Sequence, residues 1–185
     1  MRSKQRASQN RIETARAVKV PMVRPLLRRT ELLPGESLDS LVERLKILNG
    51  YQGFDFVGEL AQAVDGETRF RYPRHDSGLE RLVCLTGIDP VHLHAASPHM
   101  YADVIAPHDT QIVTLPNRRS LRIASTGWLF ISSHVFYCPA CLKQGGYQRL
   151  SWAVESVLVC LKHKQFLTQW CPHCWSPISI GDLMT

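Results

Sequence analysis

Three short cysteine turns constrain this chain more than any other feature. Cys138-Pro-Ala-Cys141, Cys160-Leu-Lys-His163 and Cys171-Pro-His-Cys174 are spaced C-x2-C-x18-C-x2-H-x7-C-x2-C. Two ligands separated by two residues hold one metal from a tight turn, and two such turns complete a tetrahedral zinc shell. The spacing also fits disulfides, a redox dithiol or an iron–sulfur centre. The basic N-terminus is not followed by the apolar stretch of about 7–15 residues that a secretory signal needs. No apolar run approaches the roughly 18 residues of a membrane span. The expected location is therefore cytoplasmic, where paired cysteines act as metal ligands more often than as crosslinks. A redox dithiol needs only one pair, beside a βαβ pattern that the sequence does not display. Iron–sulfur centres prefer four cysteines. The reading is Zn2+, one site with room for a second, and the candidate ligands are Cys138, Cys141, Cys160, His163, Cys171 and Cys174. The knuckles contain no Glu to act as a base, which favours a closed, structural site over a catalytic one.

Charge divides the chain unevenly. The net charge is +6 over 185 residues. Nine Lys/Arg and one acid, Glu13, fall within residues 1–30, leaving thirteen bases against fifteen acids in the remainder. The body is thus nearly neutral, and the positive charge sits in an N-terminal arm. A polar, basic segment with few aromatics does not bury enough surface to fold alone. Arg2, Lys4, Arg6, Arg11, Arg16 and Lys19 read as phosphate-binding residues, drawn to nucleic acid by counterion release. A solvated tail fits the same composition, as does a translation start at Met22. At 44% apolar residues the rest of the chain is ordinary for a globular protein.

The first ordered element is expected after Leu33-Pro34-Gly35-Glu36. Ser37 is a good N-cap, Asp39 and Glu43 suit the early turns, and Leu38, Leu41, Val42, Leu45 and Leu48 form one apolar stripe. Asn49-Gly50 ends it with residues that tolerate left-handed backbone. A second helix is expected from Asp55, with Phe56, Val57, Leu60 and Val64 on its apolar face and Asp65-Gly66 at its end. Residues 77–97 have the pattern of a helix-turn-helix. Ser77 would cap a helix with Leu79, Leu82 and Val83 on one face, Thr86-Gly87 would break it, and Ile88 would fill the gap. Asp89-Pro90 would restart the chain into Val91–Ala96. The second helix offers only His92 and His94 as polar side chains, without Arg, Asn or Gln to read base edges. A helical hairpin used for packing or protein contact fits it better than a base reader. Cys84 reads as a small buried apolar residue.

Pro98, Pro107 and Pro116 interrupt the following segment, where Gln111–Leu115, Leu121–Ala124 and Trp128–Ser132 are short strand candidates. Arg118, Arg119 and Arg122, beside Asn117, are either a phosphate contact or a solvated turn. His75, His99, His108 and His134 lack ligand spacing and read as surface or core residues. Enzyme signatures are missing: the sequence has no G-x-x-x-x-G-K-[ST] loop, no G-x-S-x-G elbow and no H-E-x-x-H. No acidic triad suggests two-metal strand transfer. The chain reads as a non-enzyme.

These pieces together resemble the TniQ family. Leu33-Pro34-Gly35-Glu36-Ser37-Leu38-Asp39-Ser40-Leu41, followed by Arg44-Leu45, is similar to the family's opening. Phe136-Tyr137-Cys138-Pro139-Ala140-Cys141-Leu142 resembles its first knuckle. Tyr147, Arg149 and Trp152 match its Tyr-x-Arg-x-x-Trp signature, and Cys160-x2-His163 with Leu167, then Cys171-Pro-x-Cys174, complete the order. The likeness spans about residues 24–178. It implies a target-selection factor for transposons of the Tn-seven type. The implied partners are DNA and a TnsC-like AAA+ ATPase transposition regulator. Some members act beside a CRISPR effector and its guide RNA, so that complex is a further expected partner. Longer members continue past the third knuckle with more cysteines, so here Cys171 and Cys174 have no obvious second pair.

The expected fold is α+β, with a helical helix-turn-helix-type domain followed by a zinc-ribbon or zinc-knuckle domain. The expected division is a basic arm at 1–32, a helical domain at 33–105 and a zinc-binding domain at 106–185. The expected role is a transposition targeting adaptor that meets the ATPase through the helical part built on Leu38–Leu48. The alternative is a stand-alone zinc-containing helix-turn-helix regulator that binds DNA without a partner.

Overall fold

The computed structural model describes residues 24–51, 76–101, 104, 110–114, 120–124 and 134–183. Helix α1 spans Leu38–Leu48. Its N-cap is Ser37, whose Oγ accepts the Ser40 N–H at 3.2 Å, satisfying one of the free donors of the first turn. The predicted stripe is the buried face: Leu38, Leu41, Val42 and Leu45 are all buried. Asn49 closes the helix and ties in the segment before it. Its Nδ2 donates to Leu45 O and to Arg28 O, both at 2.8 Å, and its Oδ1 accepts the Arg28 N–H at 3.0 Å. The chain before α1 is therefore tied down at Leu26 and Arg28, with Leu26 in the core.

Helix α2 spans Asp76–Thr86 and helix α3 Pro90–Ala95. Since α2 already includes Asp76, Ser77 lies within its first turn and is not its cap. The turn between the helices follows the sequence closely. Gly87 (φ +73°) takes a left-handed conformation that a side chain would disfavour, and its N–H donates to Val83 O at 2.8 Å. Ile88 packs against the core from the gap. Asp89 Oδ1 accepts the Val91 N–H at 2.8 Å, and Pro90 occupies the first helical turn. Leu79, Leu82, Leu85, Leu93 and Ala96 join the α1 stripe and Leu26 in one core, worth roughly 1.5–3 kcal/mol per buried large side chain. Cys84 is exposed, contrary to the sequence reading. Each residue advances about 100° around a helix, so two steps past Leu82 place it opposite the buried stripe.

A short 3-10 turn at Pro98–Tyr101 follows. Strands β1 (Thr110–Thr114) and β2 (Ser120–Ala124) pair antiparallel, Thr110 opposite Ala124 and Thr114 opposite Ser120. The helix expected from Asp55 to Gly66 and the strand at Trp128–Ser132 lie outside the described residues. So do Arg2, Lys4, Arg6, Arg11, Arg16, Lys19, Arg118 and Arg119. Arg122 stands on β2 opposite Ile112.

The C-terminal part contains helix α4 (Pro139–Gly145), a 3-10 turn at Leu150–Ala153, and the hairpin of β3 (Val159–Cys160) and β4 (Gln165–Phe166). A second core forms around Tyr137, Cys138, Cys141, Trp152, Cys160 and Leu167. Helices with two small antiparallel sheets make the fold α+β.

Hydrogen bonds between residues 34–40 and 147–150 stitch the two cores together. Ser37 N donates to Gln148 O at 2.9 Å, Leu150 N to Gly35 O at 2.9 Å, and Gln148 N to Ser40 Oγ at 3.2 Å. Ser37 Oγ also donates to Gln148 Oε1 at 3.1 Å, and Tyr147 Oη to Pro34 O at 3.0 Å. Arg149 lies 5.5 Å from the Tyr147 ring centre. Behind this seam Glu36 is buried. It accepts from Ser40 Oγ at 2.9 Å, from Leu33 N at 3.0 Å and from Arg44 at 2.6 Å. A buried carboxylate persists only when its oxygens are paired in this way.

Candidate metal centre

Cys138 and Cys141 enter the site from the start of α4. Cys138 is the N-cap residue, Pro139 opens the helix, and the Leu142 N–H reaches Cys138 O at 3.0 Å. Gly146 (φ +61°) ends the helix after two turns, its left-handed backbone turning the chain back toward Trp152. Cys160 and His163 come from the β3–β4 turn. Lys164 (φ +53°) donates its N–H to Cys160 O at 2.7 Å, which curls Cys160–His163 into a knuckle.

The four side chains converge. One ligand atom from each of Cys138, Cys141, Cys160 and His163 lies within 4.8 Å of all the others. Cys141 Sγ is 3.6 Å from Cys160 Sγ. His163 Nδ1 is 3.4, 3.2 and 3.7 Å from the sulfurs of Cys138, Cys141 and Cys160. A tetrahedral zinc with ordinary bond lengths sets S–S edges of about 3.8 Å and S–N edges of about 3.6 Å. The three thiols and the imidazole thus suit a zinc ion in size and donor chemistry, and the cluster can bind one. Three cysteines with one histidine, all but His163 buried, make a closed shell.

Burial raises the Cys141 thiol to about 11, with the neighbouring Cys160 and Cys138 adding to the shift. The Cys160 thiol is instead lowered to about 6. Burial pushes it up, but hydrogen bonds from the backbone and ring of His163 and from the neighbouring thiols outweigh that. One thiol protonated and its neighbour ionised is the state expected of a ligand cluster without its cation. A divalent ion makes every sulfur a thiolate and displaces the proton.

Gln165 completes the surroundings, its Nε2 donating to Cys138 Sγ at 2.9 Å. It is the cross-strand partner of Cys160, so the hairpin register aims it at the metal side. Sequence reasoning missed it. The available signal was its place two residues after the last ligand, at the start of the return strand.

Cys171 and Cys174 are not part of this cluster. They form a separate turn in which Trp175 N donates to Cys171 O at 2.9 Å. Cys171 is half-buried and Cys174 exposed. Ser176, through its hydroxyl and then its N–H, lowers the Cys174 thiol. The sequence left open whether these two replace a pair in the first site, and the geometry assigns that site to the other four.

The two stretches that suggested a family in sequence, 33–45 and 136–152, meet at the joint between the cores. A sequence model of TniQ matches residues 27–167, a span that holds α1, the joint and all four clustered ligands. It ends before the third knuckle. No curated protein matches the chain. With most of its length inside that match, the chain belongs to the TniQ family.

Proposed function

We propose that this chain is a non-catalytic adaptor that couples a target-bound complex to a TnsC-like AAA+ ATPase during transposition. The observation that carries this reading is the TniQ match over residues 27–167, because that family implies a target-selection role. The ATPase, the DNA and an RNA-guided CRISPR effector are the partners the reading names. Zn2+ in the Cys138/Cys141/Cys160/His163 cluster is structural in this account and holds the C-terminal core together.

The α2–α3 pair is read as a helix-turn-helix, on the strength of its Gly87-Ile88-Asp89 turn and the cap at Asp89. Its second helix is six residues long and exposes Val91, His92 and Ala95, with Met100 exposed just beyond. An apolar face of that kind favours a protein contact over base reading. Helix α1 is a weaker contact surface than its sequence suggested. Ile47 is its one exposed residue, and the rest is half or fully covered. The ATPase contact is therefore assigned to the α3 face. The basic arm, with Arg118, Arg119 and Arg122, is assigned to nucleic acid.

A reconstituted transposition reaction tests the role. Omitting the chain should abolish the choice of target site while the transposase still joins DNA ends. Loss of end joining itself, in the presence of ATPase and transposase, contradicts an adaptor. Tight sequence-specific DNA binding by the chain alone would favour the stand-alone regulator.

A further inference from the structure

The third knuckle is built like the second. In the second, Lys164 (φ +53°) follows the ligand His163 and bonds to Cys160 O at 2.7 Å. In the third, Trp175 (φ +56°) follows Cys174 and bonds to Cys171 O at 2.9 Å. Each turn hangs from a short antiparallel pair: β3–β4 in one, and the Trp170–Pro177 bridge with Cys171 N to Ser176 O at 2.9 Å in the other. A bulky residue at positive φ is uncommon and persists only where its surroundings hold it. The chain thus maintains a ligand turn at Cys171–Cys174 although the first site already has four ligands.

Two thiols supply half of a tetrahedral zinc shell. Among the described residues, Cys171 and Cys174 belong to no group of three or more clustered metal ligands. Cys174 is exposed and Cys171 half-buried, with Trp175 74% and Trp170 42% exposed beside them. From Gln165 to Gly181 the chain carries no Asp, Glu, Lys or Arg. That matters for what covers the face. A two-fold contact sets a surface against its own copy, so any formal charge there meets its like. An uncharged surface with two exposed indoles meets its copy without that repulsion.

We propose that Cys171 and Cys174 from two copies of this chain bind one zinc ion between them, closing a dimer through a four-cysteine site. Each thiol gives up its proton to solvent as it binds, and nothing is oxidised or reduced. The site lies outside the TniQ match, and the inference does not depend on the adaptor role.

The test uses the full chain, purified with zinc in reducing buffer, with mass and metal content measured together. A dimer carrying about 1.5 zinc ions per chain is expected, one from each buried site and one shared. The Cys171→Ser/Cys174→Ser variant should be a monomer with about one zinc per chain and an unchanged helical spectrum. A mild chelator should remove the exposed zinc first, dissociating the wild-type dimer before the buried cluster empties. A monomer with two zincs per chain would place the missing ligands within one copy and overturn the proposal. So would a wild type with one zinc per chain, or a dimer that survives in the double variant. The wild-type stoichiometry decides the matter even if the variant fails to fold.

Discussion

At the scale of single residues, three of the four candidate metal ligands also belong to the core. Cys138, Cys141 and Cys160 are three of the six buried members of the C-terminal cluster. Structural zinc contributes on the order of 10 kcal/mol in small domains, so a broken shell leaves little to hold this one. Cys138→Ala or His163→Ala should abolish zinc binding and unfold the C-terminal half, read by metal analysis and circular dichroism. A variant that loses its zinc and keeps its fold would contradict a structural role. Gln165→Ala removes only the donor to Cys138 Sγ, and such outer partners typically alter metal affinity about 10–100-fold. Competition with a chromophoric chelator measures that loss. Acid acts through Cys160, whose thiol is lowered from 9.0 to about 6. A lowered thiol stabilises the metal-free fold above its ordinary value and loses that contribution as pH falls toward about 6. Zinc needs the same thiolate, so release should steepen below about pH 6, and full occupancy at about pH 4 would contradict this. The ligands were legible because C-x2-C and C-x2-H spacings are local. Gln165 was not, because its role exists only once β3 and β4 pair in register. Cys84 was misread as buried because its neighbours are apolar, while burial on a helix is set by angle.

At the scale of elements, α1 and the α2–α3 turn were legible from caps and periodicity, and Ser37, Gly50, Gly87, Asp89 and Pro90 act as their chemistry predicts. The joint was not legible. Ser37 and Gln148 are 111 positions apart, and no local pattern announces that one accepts from the other. The structure gives the Tyr-x-Arg-x-x-Trp stretch a physical meaning: Tyr147 and Arg149 face the Leu33–Ser37 turn, and Trp152 fills the metal-side core. Trp152→Ala should cost about 3–5 kcal/mol of stability in denaturant unfolding, as for other buried aromatic truncations. A loss under about 1 kcal/mol would mean the site collapses around the gap. A double-mutant cycle of Ser37→Ala and Gln148→Ala should show coupling of about 0.5–3 kcal/mol, with the cap contribution of Ser37 cancelling. Additive losses would mean that the two parts rest against each other without this bond carrying energy.

At the scale of the whole molecule, the joint makes the helical and zinc parts two ends of one object, which is what a coupling protein requires. The fold's α+β character and its Cys138/Cys141/Cys160/His163 cluster could be read from the chain, but the exposed faces could not. Periodicity marked α1 as amphipathic without revealing that its other flank, apart from Ile47, is half-buried. No helix among the described residues is long and apolar enough to cross a membrane. The arm is assigned to phosphate by charge alone. Deleting residues 1–23, which spares Leu26, should weaken nucleic-acid binding and flatten its salt dependence by about one unit of slope per lost contact. An unchanged slope would make the arm a solvated tail. The central claim is the coupling itself, and a binding titration of the zinc-loaded chain against a cognate TnsC-like ATPase, with nucleotide and DNA present, measures it directly. The account predicts saturable association that Val91→Asp with Met100→Asp weakens at least about tenfold, a loss of 1.4 kcal/mol, without changing zinc content. No association under any nucleotide or DNA condition, with tight sequence-specific DNA binding by the chain alone, would contradict it.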